Sequence, residues 1–201
     1  MTGLAWPGTP VKRPAKEQSL TPEERSFVES DDRFEAEELA YFRLQSTKPQ
    51  TLAYALQDSP VGLLAWMLEK YWAWTDLGPD LGRGGSKGPG DLWAVLDRRD
   101  VLTPATLYWL TGTVLSASRI YLEYNRRPEA GKDPGPVRVP TWFMGFPKDP
   151  FTSGPKSLFD SSGYAKIAHV AEKPRGGHFA ALEQPAAWAQ DVYMFFSGLA
   201  R

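Results

Sequence analysis

The 201-residue chain contains no cysteine, which excludes a disulfide framework, a thiol nucleophile and any thiolate metal site. Its two histidines, His169 and His178, are too few for a histidine-rich metal centre, and no metal or cofactor is expected. Neither sign of charge is in excess. The 23 Lys+Arg and 24 Asp+Glu leave a formal net charge of −1, so nothing electrostatic favours nucleic acid or an anionic membrane. Long apolar runs are also missing. The longest, Val61 to Leu68, is far shorter than the roughly 20 residues a spanning helix needs. Met1 to Pro14 holds three prolines and no apolar run, unlike a signal peptide. These absences predict a soluble, cytoplasmic protein.

Aromatic residues, by contrast, are plentiful at 13%, with eight tryptophans, which is enough apolar bulk to fill a core. Punctuation is plentiful too. Residues 1–19 read as an irregular segment with Pro7, Pro10 and Pro14. Thr21-Pro22-Glu23-Glu24 combines a cap, Pro at the first helical position and acid in the first turn, and opens a short helix. A second helix is expected from Asp32 to about Gln45, and a third from Pro49 to Leu56. Asp58-Ser59-Pro60 opens another, to about Trp74. Its residues are apolar almost all round, the mark of a helix buried on several faces. From Leu77 to Gly90, Gly and Pro take eight of 14 positions, the composition of a surface loop.

Thr103-Pro104 is expected to open the longest helix, reaching about Tyr124 with Leu107, Leu110, Val114, Ala117 and Tyr121 at helical spacing. A linker follows over 127–136. The pattern then changes. Val137 to Phe143 reads as a strand, Pro155 to Tyr164 as a short helix, Lys166 to Glu172 as a second strand. Pro185 to Leu199 reads as a helix with Trp188, Val192, Phe195, Phe196 and Leu199 on one face. Strand, helix, strand, helix in succession implies two adjacent parallel strands. Parallel sheets are buried on both faces and belong to larger sheets. The class is therefore α/β, and this ending reads as the close of an open sheet that these residues begin midway.

Chemistry concentrates in two turns. Arg175-Gly176-Gly177-His178-Phe179 places a histidine in a glycine-rich turn after the second strand and before a helix, where open α/β sheets carry functional loops. A lone loop histidine with an ordinary hydrogen bond is the plainer alternative. Phe146-Pro147-Lys148-Asp149-Pro150 places a carboxylate past the first strand. An Asp–His pair would hold one imidazole tautomer and stabilise the imidazolium. Spacing alone leaves Asp149 equally a turn residue between prolines. His169, in the middle of the second strand, reads as structural. Gly84-Gly85-Ser86-Lys87-Gly88 matches a nucleophile-elbow string literally, but glycine and proline flank it where the elbow needs a strand and a helix.

Several blocks resemble one family. Gly176-Gly177-His178-Phe179-Ala180-Ala181-Leu182-Glu183 is similar to the C-terminal histidine motif of α/β-hydrolase-fold epoxide hydrolases of the microsomal type. Gln45 to Thr51, Asp58 to Trp66 and Glu69-Lys70 resemble their lid. Leu107 to Thr113, Ser118 to Tyr121 and Val139 to Asp149 also match, in the family's order, over nearly all of residues 20–197. The resemblance implies a partial α/β-hydrolase fold: residues 1–19 irregular, 20–125 a helical lid, 126–201 the last two parallel strands of the core with their helices. It implies His178 as the base that activates water and Asp149 as its carboxylate partner. Tyr41 and Tyr121 would be the lid tyrosines that hold the oxygen of a small apolar epoxide. Spacing by itself would give both tyrosines only a packing role.

The family's reaction is covalent: an aspartate attacks the epoxide, and the ester formed is then hydrolysed. That aspartate and the oxyanion loop lie upstream of the lid in the family, so the resemblance implies a missing N-terminal half. Three readings follow. The chain is the C-terminal portion of an epoxide hydrolase, inactive alone; or a half-enzyme that needs a partner chain; or a non-catalytic binding module. Two strands without neighbours would expose faces and an edge and so weaken the fold of the chain alone.

Overall fold

A computed structural model describes residues 20–78, 91–127, 137–151 and 167–199. The expectations for residues 1–19, for 79–90 with the Gly84–Gly88 string, for the 128–136 linker and for the 155–164 helix lie outside the described residues. Helices fill the first part. These are α1 (Pro22–Glu38), α2 (Ala40–Thr47), α3 (Pro49–Asp58), α4 (Pro60–Trp74), α5 (Arg98–Thr111) and α6 (Val114–Arg126), with a 3₁₀ turn at Leu92–Ala94 before α5. Then come β1 (Thr141–Gly145), β2 (Ile167–Glu172), α7 (Ala180–Glu183) and α8 (Pro185–Leu199).

Local chemistry sets most of the starts. Thr21 and Glu24 form a reciprocal capping box on α1, their backbone N–H groups each donating to the other's side chain. Ser59 Oγ accepts from Gly62 N at 3.0 Å and opens α4. Prolines lead α1, α3, α4 and α8, where no N–H is needed. Three boundaries differ from the sequence expectation. The first strand, expected over Val137 to Phe143, begins at Thr141 and runs to Gly145. The first helix does not stop near Asp32. It runs on to Glu38 and breaks at Leu39, a buried residue that leaves helical geometry and lets α2 turn back. Likewise the long helix expected from Thr103 to Tyr124 is two. Asp97 caps α5 a full turn and more before Pro104, which is carried inside the helix. Gly112, at φ +67°, then ends α5 in the left-handed conformation.

That break re-aims the apolar stripe. Val114 is buried, whereas Leu107 and Leu110 face outward. Helices α3 and α2 pack on α6, and α4 packs on α5. Around the α3–α6 contact, Ala53, Leu56, Leu63 and Val114 form one buried cluster. Leu92, Leu96 and Val101 form a second beneath the 3₁₀ turn. Helix α4 is buried less completely than its composition suggests: Leu63 and Trp74 are buried, while Val61 is exposed.

Strands β1 and β2 pair in parallel, Phe143 opposite Val170 and Gly145 opposite Glu172, so both strands end at the same side. His169 pairs with Trp142 in this register. Trp142 meets Phe195 of α8 edge to face. A residue with a Cβ at position 112 would be held in a left-handed conformation. Gly112→Ala is therefore expected to lower stability by about 1 kcal/mol, read as a shift of the urea midpoint; an unmoved midpoint would show that the α5–α6 corner adapts freely.

Candidate active site

Because β1 and β2 are parallel, the loops that follow them emerge together. Lys148 N donates to Gly176 O at 3.1 Å and Lys173 N donates to Gly145 O at 2.9 Å, stitching the two loops. This brings Asp149 to His178: His178 Nδ1 lies 3.0 Å from Asp149 Oδ1. The carboxylate is buried, while the histidine side chain is 35% exposed. Asp149 Oδ1 also accepts from Phe151 N at 3.2 Å. An imidazole that donates from Nδ1 keeps its lone pair on Nε2, on the side of the ring away from Asp149.

The histidine turn is held from the helical part. His178 N donates to Trp74 O, the last carbonyl of α4, at 2.8 Å. Gly176 N donates to Asp76 Oδ2 at 2.9 Å. Glu183, buried at the end of α7, reaches back to accept from Gly177 N (2.8 Å), Phe179 N (2.9 Å) and Asp76 N (2.8 Å). A methyl group on Gly177 would overlap the Trp74 carbonyl oxygen, so only glycine allows this approach. Burial holds the Glu183 carboxyl above the usual carboxylate range; its three donated N–H groups oppose the shift, and the Asp76 carboxylate adds to it.

Trp74 joins the histidine to the tyrosines. Its ring meets His178 edge to face at 5.2 Å on one side and Tyr41 at 5.6 Å on another. Tyr41 in turn meets Tyr121 edge to face at 6.0 Å. Phe151 packs against both Trp74 and His178, and Phe34 completes the aromatic wall. The structure thus brings Asp149 and His178 into contact, and Tyr41 and Tyr121 into contact, with Trp74 between the pairs.

Burial raises the Tyr41 hydroxyl well above the usual phenol range, with Tyr121 and Glu38 adding to it. Tyr121 is raised by burial too, against a hydrogen bond from Gln45 that lowers it. Both phenols therefore stay protonated and able to donate at neutral pH. An ion pair braces this region: Lys70 Nζ lies 2.9 Å from buried Glu38 Oε2, which also accepts from Trp74 Nε1 at 3.2 Å. The same ammonium sits 5.4 Å from the ring centres of both Tyr41 and Trp74.

Sequence reasoning singled out the four residues in these pairs but missed Trp74, Phe151, Glu38, Asp76 and Glu183. For Glu183 a signal existed: an acid that closes the apolar Phe179-Ala180-Ala181-Leu182 run, four residues after Phe179. No group of three or more His, Cys, Asp or Glu side chains that could hold a metal occurs among the described residues. None of the described helices is long and apolar enough to cross a membrane.

No protein-family model matches the chain. Its relatives are nonetheless clear. It is 37% identical over 190 residues to a putative epoxide hydrolase of Stigmatella aurantiaca, covering 94% of this chain and 39% of that protein. It is 40% identical over 165 residues to epoxide hydrolase 1 of Sus scrofa, covering 79% and 34%. The crystal structure of juvenile hormone epoxide hydrolase from the silkworm Bombyx mori superposes with a TM-score of 0.73 at 32% identity, over 90% of this chain and 43% of that one. The chain therefore resembles epoxide hydrolases in sequence and structure. It carries part of their α/β-hydrolase fold and spans less than half the length of these relatives.

The raised Glu183 carboxyl has a consequence for stability. Folding favours its protonated form, so its contribution is fully present below about pH 4.5, the ordinary value, and declines as pH rises through the folded-state value. Urea denaturation is expected to show a wider stability gap between the wild type and Glu183→Gln near pH 4 than near pH 7. An equal gap at both would mean that the carboxylate is not desolvated.

Proposed function

We propose that this chain forms the lid and the C-terminal part of an epoxide hydrolase, which converts an epoxide to a vicinal diol through an ester intermediate. The observation that carries the reading is the Asp149–His178 pair meeting Tyr41 and Tyr121 through one tryptophan. Two donors to an oxygen and one oriented base are what ring opening followed by ester hydrolysis requires.

On this reading a carboxylate attacks one epoxide carbon and the C–O bond breaks. The phenols of Tyr41 and Tyr121 hydrogen-bond the oxygen, and one supplies its proton as the alkoxide forms. His178 Nε2 then takes a proton from water, and the hydroxide adds to the ester carbonyl. Asp149 stabilises the imidazolium. Collapse expels the diol and returns the carboxylate, and the proton held by the imidazolium returns, directly or through solvent, to the phenolate left by ring opening. The attacking carboxylate and the oxyanion donors come from polypeptide that these 201 residues do not include, either joined to them or on a separate chain. The half-exposed β1 and the outward Trp188, Met194 and Phe196 of α8 support this, because parallel sheets are ordinarily covered on both faces. Aromatic walls favour a small apolar substrate.

The 201-residue chain alone is expected to give no sustained diol formation from styrene oxide. Fused behind the N-terminal part of the Stigmatella aurantiaca relative, it is expected to turn over. His178→Ala in the fusion should lower turnover by about 10²-fold or more and accumulate the ester, and Tyr41→Phe with Tyr121→Phe should slow ring opening by a similar factor. Turnover that survives His178→Ala would overturn the reading, as would sustained diol formation by the chain alone.

A further inference from the structure

The turn that presents His178 spends four consecutive backbone N–H groups on acceptors outside the sheet. Gly176 gives its N–H to Asp76, Gly177 and Phe179 give theirs to Glu183, and His178 gives its own to Trp74 O. The three acceptors come from two places in the chain. Trp74 O and Asp76 belong to the exit of α4, whereas Glu183 belongs to α7, beyond the turn. Glu183 is also the acceptor that binds both sides at once, because it takes the Asp76 N–H as well. Its carboxylate is buried against glycine backbone and a neighbouring carboxylate, with no cation bonded to it among the described residues. Burying an acid there costs stability that an apolar residue would not, and the three backbone N–H groups donated to it offset part of that cost.

We propose that Glu183 is a positioning residue: its carboxylate locks the His178 turn to the exit of α4, so that the imidazole is registered to the tyrosine-bearing lid as well as to Asp149. The name of base for His178 rests on the reading above; the lock itself does not. Isosteric Gln at 183 keeps the side-chain shape. Its amide group, however, must turn a donor toward either Phe179 N–H or the paired Gly177 and Asp76 N–H groups. One side of the lock then opens while the fold around it persists. A group that only filled space would leave the coupling of His178 to Asp149 untouched.

The test is a thermodynamic cycle read by NMR on the full isotope-labelled chain, with the titration midpoint of His178 followed in the wild type, Asp149→Asn, Glu183→Gln and the double variant. The expected result is that Glu183→Gln cuts the response of His178 to Asp149→Asn by at least about half, with lost exchange protection at Gly177, Phe179 or Asp76. An undiminished response would overturn the proposal. Should Glu183→Gln fail to fold, amide exchange in the wild type decides. Slow exchange of Asp76, Gly177 and Phe179 through one shared opening supports the lock, and exchange at unprotected rates refutes it. Neither readout involves an epoxide, so a fusion that turns over without His178 would remove the catalytic reading and leave the lock standing.

Discussion

A turn rich in glycine and closed against its neighbours must place its backbone N–H groups, and here that demand organises the whole site. An unpaired buried N–H is costly, and past the end of β2 the sheet takes only the Lys173 N–H, at Gly145 O, among the described residues. The acceptors come instead from the last turn of α4, from Asp76 and from Glu183. Consequently, residues a hundred positions apart share one hydrogen-bond cluster. The strand pair fixes where the histidine loop leaves, and the helical part fixes which way it faces.

The aromatic contacts extend the same constraint. Trp74 ends α4 with its carbonyl taken by His178 N and its indole taken by Glu38. With both polar ends held, its ring has one orientation in which to meet His178, Tyr41 and Phe151. The Glu38–Lys70 pair thus acts on the tyrosines through packing. A pair so nearly buried adds little net stability by itself; its larger effect is to pin α1 against α4 beside Tyr41.

Much of this was legible in the residues, and what escaped did so for physical reasons. Caps and prolines announced the starts of α1, α3, α4 and α8 because those signals are local. Boundaries set by tertiary packing did not announce themselves. Leu39 ends α1 because it is buried in the bend, and Asp97 begins α5 well before the more conspicuous Thr103-Pro104. Asp149 and His178 could be named from their turns, but their 3.0 Å contact depends on parallel register, which no single segment encodes. Glu183 lies within the histidine motif, but its task is not legible there, since its partners include Asp76, 107 positions away.

A further asymmetry bears on what these residues need around them. The helical part buries its own clusters, with Val101 fully covered and Leu63, Leu96 and Phe34 nearly so. Among the described residues the strand part buries only single apolar side chains, Phe146 and Ala180. Every residue of β1 is partly exposed, and α8 turns Tyr193, Met194 and Phe196 outward. Two parallel strands cannot exclude water from their own ladder, yet the Asp149–His178 pair hangs from their ends. The pair is therefore rigid on the side facing α4 and weakly supported on the side facing the sheet. A covering layer of further strands would stiffen that second side, and on the proposed reading the same layer would carry the attacking carboxylate. Completing the sheet and completing the chemistry are then one structural event.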